Sequence, residues 1–224
     1  MSVRLSSEQV LLLLERMCAE MEAAQAALQE LDAKAGDGDL GVTVQLGFRA
    51  VRENLRQCGG KDIGTILVTL GMAFNAAAAS TFGTLMATAF MRAGRPVNGK
   101  MEIGLTEFVA MMEAAVEGIK ERGKAAPGER TMLDALIPAA ETLAISSKEG
   151  KGLSEALIAA AAAAEAGAQA TAAMIPRHGR AGWIARKPIG VPDAGAVAVA
   201  RMLKALSDHL AEAMTSPEGR GNAH

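Results

Sequence analysis

The sequence predicts an all-α protein, an antiparallel bundle or barrel of eight helices in one domain. Three observations predict it. Ala, Leu and Met dominate, while aromatic residues make up only 3% of the 224 residues and Tyr is absent, so helix formers outweigh strand formers. No stretch alternates with period two for long enough to make a strand. Eight segments instead carry apolar residues at helical spacing, bounded by Gly, Pro or capping residues.

Ser6 with Gln9 is a capping box that opens the first helix, which runs to about Ala33. An acidic loop follows, and residues 42–57 then show helical spacing at Val44, Leu46, Val51 and Leu55. Gly59-Gly60 breaks the chain before a third helix from Asp62 to Ala78, and a fourth spans Thr84 to Ala93. Gly94, Pro96, Asn98 and Gly99 mark a loop. The fifth helix covers Leu105 to Arg122, with Thr106 as N-cap and Gly123 as the residue that ends it. Past Pro127-Gly128, the sixth spans Thr131 to Ser146, and Pro138 implies a kink or a short first segment. Ser154 caps a seventh helix that reaches Met174, its run of Ala allowing close helix approach. A loop from Ile175 to Val191 precedes the eighth, Asp193 to Met214. The domain is thus expected to cover residues 1–214, with 215–224 a disordered tail. Met72, Met86, Met91, Met111 and Met112 read as flexible core filler.

Composition excludes several functions. Net charge is −2, the pI is near 6 and no basic block stands out, so nucleic-acid binding has no electrostatic footprint. Cys18 and Cys58 form no C-x-x-C and lack His at zinc spacing; they read as reduced thiols of a cytoplasmic protein. The Leu11–Leu14 run is too short for a signal segment, and Glu165 and Gln169 interrupt the Ala-rich stretch, so neither export nor membrane spanning is supported.

Residues 31–41, Leu-Asp-Ala-Lys-Ala-Gly-Asp-Gly-Asp-Leu-Gly, are the most informative. Asp32, Asp37 and Asp39 crowd into one loop. Two carboxylates ~4 Å apart repel by about 4 kcal/mol at an effective dielectric near 20, so a proton or cation must sit between them. Oxygen-only ligands without Cys or His suit a hard ion such as Mg²⁺; the plain alternative is a solvated acidic turn. The literal G-x-G-x-x-G from Gly36 to Gly41 follows a helical segment rather than a strand and carries two Asp residues, so it is no dinucleotide fingerprint. An EF-hand from Asp37 fails at Gly41, Val42 and Phe48, and a P-loop reading of Gly94–Lys100 fails at Met101.

In an up-and-down bundle four loops share one end: the acidic loop, the Ser80–Gly83 turn, Gly123–Thr131 and Ile175–Asp193. Between them they bring Ser80, Thr81, Arg130, His178, Arg180 and Asp193 to a rim that also holds helix N-termini. His178 reads as a surface residue there. Free N–H groups and guanidinium forks favour phosphate, so carboxylates, Mg²⁺, N-termini and Arg together describe a nucleotide polyphosphate site.

Over nearly its whole length the chain resembles the nucleotide-binding (L) subunit of dihydroxyacetone kinase. The acidic loop matches that family's Leu-Asp-x-x-x-Gly-Asp-x-Asp-His-Gly pattern at all but one position. Further landmarks follow in order: Lys61-Asp62-Ile63-Gly64, Gly71-Met72, Arg122-Gly123-Lys124, Pro127-Gly128-Glu129-Arg130-Thr131-Met132, Gly179-Arg180-Ala181, and Ile189-Gly190 with Asp193. The resemblance implies a kinase subunit: an eight-helix barrel with ADP or ATP and two Mg²⁺ at one end. It implies Asp32, Asp37 and Asp39 as metal ligands and, with Arg180, as the catalytic set. Gly41, Val42 and Thr43 would contact phosphate, with Thr81 and Phe82 beside the nucleotide and Gly123 and Met132 near the base. Arg180 and the segment Asp193, Ala194, Gly195 would close over it. A separate subunit would bind dihydroxyacetone or a related short ketose, a sugar-phosphotransferase phosphocarrier is a candidate donor, and room is left for a homodimer. Two departures stand out. Leu40 replaces the family's His, and Ala79-Ser80-Thr81-Phe82-Gly83 replaces Gly-Gly-(Ala/Ser)-Ser-Gly. A non-catalytic module that holds ADP and regulates a partner is the competing expectation, and a ligand-free helical scaffold the third.

Overall fold

Ser6 Oγ accepts from the Gln9 N–H at 3.3 Å and Gln9 Oε1 from the Ser6 N–H at 2.9 Å, so α1 (Ser7–Ala23) starts where its capping box predicts. The structure is a computed structural model and describes residues 3–178 and 190–215. The expected first helix is two. Ala24 (φ −75°, ψ −4°) bends the chain, and α2 (Gln25–Ala35) takes a new direction. Packing sets the bend rather than Gly or Pro. α2 rests on α3 (Leu40–Leu55) at Gly41, where a Cβ would stand 2.4 Å from the Gln25 carbonyl oxygen.

The remaining helices are α4 (Ile63–Ala77), α5 (Thr81–Gly94), α6 (Leu105–Gly123), α7 (Leu133–Lys148), α8 (Leu153–Ala170) and α9 (Ala194–Thr215), giving nine among the described residues. α5 begins three residues earlier than expected because Ser80 Oγ accepts from the Gly83 N–H at 3.0 Å. α6 is capped at Gly104, not Thr106: Glu107 reaches back to the Gly104 N–H at 2.9 Å and also holds Lys100. Gly123 stays helical, and Lys124 takes the left-handed turn at φ 51°. α8 starts after Gly152 rather than Ser154 and stops at Ala170, followed by one 3₁₀ turn, Thr171–Ala173. α7 runs through Pro138 as one helix. That proline lacks the N–H that would bond the Asp134 carbonyl, and α8 approaches there: a Cβ on Gly167 would stand 2.1 Å from the Asp134 oxygen.

Two short strands were not expected: β1 (Leu5–Ser6) pairs antiparallel with β2 (Glu102–Ile103). They lie at the end opposite the acidic loop, where Asp62 caps α4 and also accepts from the Gly99 N–H at 2.9 Å.

The helices close a ring. α1 packs on α3, each helix from α3 to α9 packs on the next, and α9 returns to α1, with α2 lying over α3 and α9. The interior is apolar, anchored by Phe48 and Phe74, edge to face at 5.1 Å. Met86, Met111 and Met112 fill it, around a cavity of about 130 Å³ bordered also by Leu13, Phe90 and Leu203. Two expected core positions point outward. Leu46, 43% exposed, lies two residues from buried Val44 and so faces the far side of α3, and Met72 is 56% exposed. Cys18 and Cys58 are buried free thiols. The segment Leu153–Ala173 is long and apolar enough to cross a membrane, but Leu153, Ala156, Leu157, Ala160, Ala164 and Ala168 are buried where α8 packs on α7 and α9.

Candidate functional site

The last turn of α2 carries Asp32, and the chain then reverses through Gly36 and Gly38 into α3. Gly38 sits at φ 77°, a conformation that side-chain-bearing residues rarely adopt. At Gly36 a Cβ would stand 2.5 Å from Asp32 Oδ1, so bare backbone makes room for that carboxylate. Asp32 Oδ2 also accepts the Leu40 N–H at 3.2 Å, which fixes it over the start of α3. One carboxylate oxygen each from Asp32, Asp37 and Asp39 falls within 4.8 Å of the others, with Asp37 and Asp39 exposed. At that spacing each pair repels by about 3 kcal/mol at an effective dielectric near 20. An all-oxygen set without His or Cys fits a hard divalent cation such as Mg²⁺.

The starts of α5, α7 and α9 converge beside this loop. A Cβ on Gly195 would meet Asp193 Oδ2 at 3.1 Å, the Phe82 ring at 3.6 Å and Met132 Cβ at 3.8 Å. Asp193 Oδ2 caps α9 by accepting the Ala196 N–H at 2.8 Å, and its own N–H donates to Thr171 Oγ1 at 2.7 Å. Burial pushes its carboxyl up to about 6; the Ala196 bond and Arg130 pull it down, and the charges of Asp134 and Asp32 add to the rise. The described parts of the four loops expected at one end therefore meet.

The α6–α7 loop has its own frame. Asp134 is buried and accepts the Gly128 N–H at 2.5 Å and the Thr131 N–H at 2.7 Å, while Thr131 Oγ1 accepts from Leu133. Glu129 accepts the Ala126 N–H at 2.8 Å, meets His178 Nε2 at 2.5 Å and faces Arg177; the Ala126 bond, then His178, hold its carboxyl below the usual range.

The other expected site residues are placed as follows. Gly41 is used for packing against α2, and the Ser80 hydroxyl is used in capping α5. Arg130, expected on the rim, is 3% exposed and gives its Nη2 to the Val191 carbonyl at 2.8 Å. His178, expected at the surface, is partly buried against Glu129. Thr43 and Ala194 are buried, whereas Val42 and Thr81 are exposed. Gly123 lies against Leu85 of α5. Leu40 turns its side chain into the core. Arg180 lies outside the described residues. Sequence reasoning passed over Asp134 and Thr171. Thr131-x-x-Asp134 carries the spacing of a capping box and was legible in principle; nothing around Thr171 signals its partner.

Comparison with known proteins bears on this geometry. Residues 34–208 match the family model described as DAK2 domain. The chain is 37% identical over 180 residues to the ADP-binding subunit DhaL of the PEP-dependent dihydroxyacetone kinase of Escherichia coli, covering 80% of this chain and 86% of that subunit. It is 34% identical over 206 residues to triokinase/FMN cyclase of Homo sapiens, covering 92% of this chain but 36% of that protein. The dihydroxyacetone kinase of C. freundii superposes in its native form with a TM-score of 0.72 at 28% identity, over 91% of this chain and 35% of that one. In its complex with AMP-PNP and Mg²⁺ the TM-score is 0.69 at 28% identity, over 93% of this chain and 35% of that one. The chain thus spans most of a separate ADP-binding subunit and about a third of the longer kinases.

Proposed function

The chain belongs to the DAK2 domain family, and on that premise we propose that it is the nucleotide-binding subunit of a kinase for dihydroxyacetone or a related short ketose. It presents Mg²⁺ with ADP or ATP, and the ketose is held on a separate subunit. The observation that carries this reading is the set of three carboxylate oxygens within 4.8 Å, beside the starts of α5 and α9. Asp32, Asp37 and Asp39 would hold the metal. When bound, Mg²⁺ neutralises phosphate charge and orients its oxygens.

The chain's own residues do the rest by placement. At the starts of α3 and α5 Asp32 takes the Leu40 N–H and Ser80 the Gly83 N–H. The other first-turn N–H groups, which helix geometry leaves without intrahelical partners, favour phosphate oxygens. Phe82 offers apolar surface to a base, and Asp193 holds the first turn of α9 beside it; Met132, expected near the base, is 4% exposed and backs this wall from the core. Phosphoryl transfer asks the protein for positioning and charge neutralisation, so a site without a nucleophile suffices. The match to a separate E. coli subunit, named as ADP-binding and PEP-dependent, supports an acceptor on another chain and leaves a phosphocarrier as a possible donor beside ATP. Buried thiols at Cys18 and Cys58 fit a cytoplasmic setting.

Phe82 supports a second reading, an ADP-holding regulatory module, because its partly buried ring stands where the family pattern has a small residue. Single-turnover transfer from ATP or a phosphorylated carrier, with a cognate ketose-binding subunit present, separates the two. Transfer on the order of one per second, ordinary for a kinase, supports catalysis. Tight MgADP binding without transfer from any donor supports regulation.

A further inference from the structure

We infer that Arg130 is a positioning residue, which ties the α6–α7 loop to the backbone ahead of α9 and so sets where Asp193, Ala194 and Gly195 lie, without itself touching nucleotide. The effect on binding rests on the nucleotide reading above; the tie does not.

Three observations converge on it. First, Arg130 is 3% exposed, and Arg is seldom buried without a specific partner. Its Nη2 donates to the Val191 carbonyl at 2.8 Å, across 61 positions of sequence. Little surface remains for a phosphate to reach.

Second, its backbone is held in a conformation that Arg does not choose. At φ 61° it is one of two described non-glycine residues in the left-handed region. Asp134 imposes this by taking the Gly128 and Thr131 N–H groups on either side. Such strain persists where surrounding bonds over-determine the chain.

Third, the segment that Arg130 grips is gripped from the other side as well. The Asp193 N–H bonds to Thr171 Oγ1 at 2.7 Å, and the Gly190 N–H to the Ala172 carbonyl at 2.9 Å. Among the described residues Arg130 supplies a side-chain tie from the α6–α7 loop to this segment, and its charge also favours ionised Asp193. Its Nη1 is buried without a hydrogen-bond partner among the described residues. An unmatched buried donor is a cost in stability, so placement of the fork accounts for the residue better than stability does.

The test uses the full chain with Arg130→Met and Arg130→Lys. Hydrogen–deuterium exchange over residues 190–197 reads the tie, and calorimetry with MgADP reads its consequence. In Arg130→Met, exchange there should rise at least about tenfold with α4 unchanged, and the Kd should weaken at least about tenfold. Arg130→Lys, which keeps the charge and one donor, should recover part of both. Weaker binding with unchanged exchange would make Arg130 a direct ligand and overturn the inference; so would wild-type behaviour in both readouts. If the Met variant does not fold, the Lys variant decides by the same criteria. If wild type binds no MgADP, the nucleotide reading fails, while the exchange result still decides whether Arg130 is the tie.

Discussion

Leu40 gives its backbone N–H to Asp32 at 3.2 Å while its side chain, 7% exposed, joins the core. The position where the family pattern has His thus serves the acidic loop through its backbone and the fold through its side chain. Leu40→His would place an imidazole in that core. Burying a polar group without a partner costs about 1 to 3 kcal/mol on protein scales, or roughly 2 to 12 °C in melting temperature for a chain this size. Thermal denaturation should show that loss, with the MgADP Kd within about threefold of wild type. A large gain in affinity would contradict the assignment.

Nucleotide binding should depend on Mg²⁺, because three crowded carboxylates repel polyphosphate on their own. A ligand at a hundredfold excess over its Kd adds about 2.7 kcal/mol, or roughly 5 to 11 °C. MgADP should give such a shift in wild type and almost none in Asp37→Ala. An equal shift from ADP in excess chelator would sink the metal-bridged site.

Acid should loosen the end opposite the site. The Lys100 bond first, then the Gly104 N–H, hold the Glu107 carboxyl down at about 2, with Arg4 adding to them. Its folded pKa lies below its unfolded value of 4.5, so its contribution is full above pH 4.5 and fades as pH falls toward 2. At about 1.4 kcal/mol per unit the ceiling is roughly 3 kcal/mol. Glu107→Gln should therefore lower stability at pH 7 and flatten its fall between pH 4.5 and 2, as urea unfolding at several pH values would show. A variant that tracks wild type through that window would refute the assignment.

Gly41→Ala tests the contact that sets α2 across α3. Its Cβ would stand 2.4 Å from a backbone oxygen that no side-chain rotation can move. Overpacking of this kind costs about 1 to 3 kcal/mol. Gly59→Ala, where a new Cβ meets nothing within 4 Å, is the control and should leave the melting temperature unchanged. Equal behaviour of the two variants would show that α2 shifts freely.

The ring of helices and its clustered loops were legible because helical period, caps and loop parity are local patterns. The Ser6 box was read directly from residue spacing, and the third helix was expected to start at Asp62, the residue that caps α4. What escaped depended on distant partners. The bend at Ala24 has no breaker residue and follows from α2 meeting α3 at Gly41. Gly104 displaced Thr106 as the cap because Glu107 reaches its N–H and Lys100 together. Arg130 looked like a rim guanidinium because no sequence pattern announces the Val191 carbonyl.

Closure of the ring by α9 against α1 carries a consequence for synthesis. The acidic loop emerges from the ribosome early, at about 5 to 20 residues per second, but the α9 turn that completes its surroundings comes from residues 193–195. A nascent chain lacking α9 has the three clustered carboxylates without the wall beside them, and its α1 flank stays uncovered. The proposed nucleotide site is therefore completed late, when the last helix docks. A stalled or truncated product would expose apolar surface while binding little, which marks it for chaperones rather than for partners.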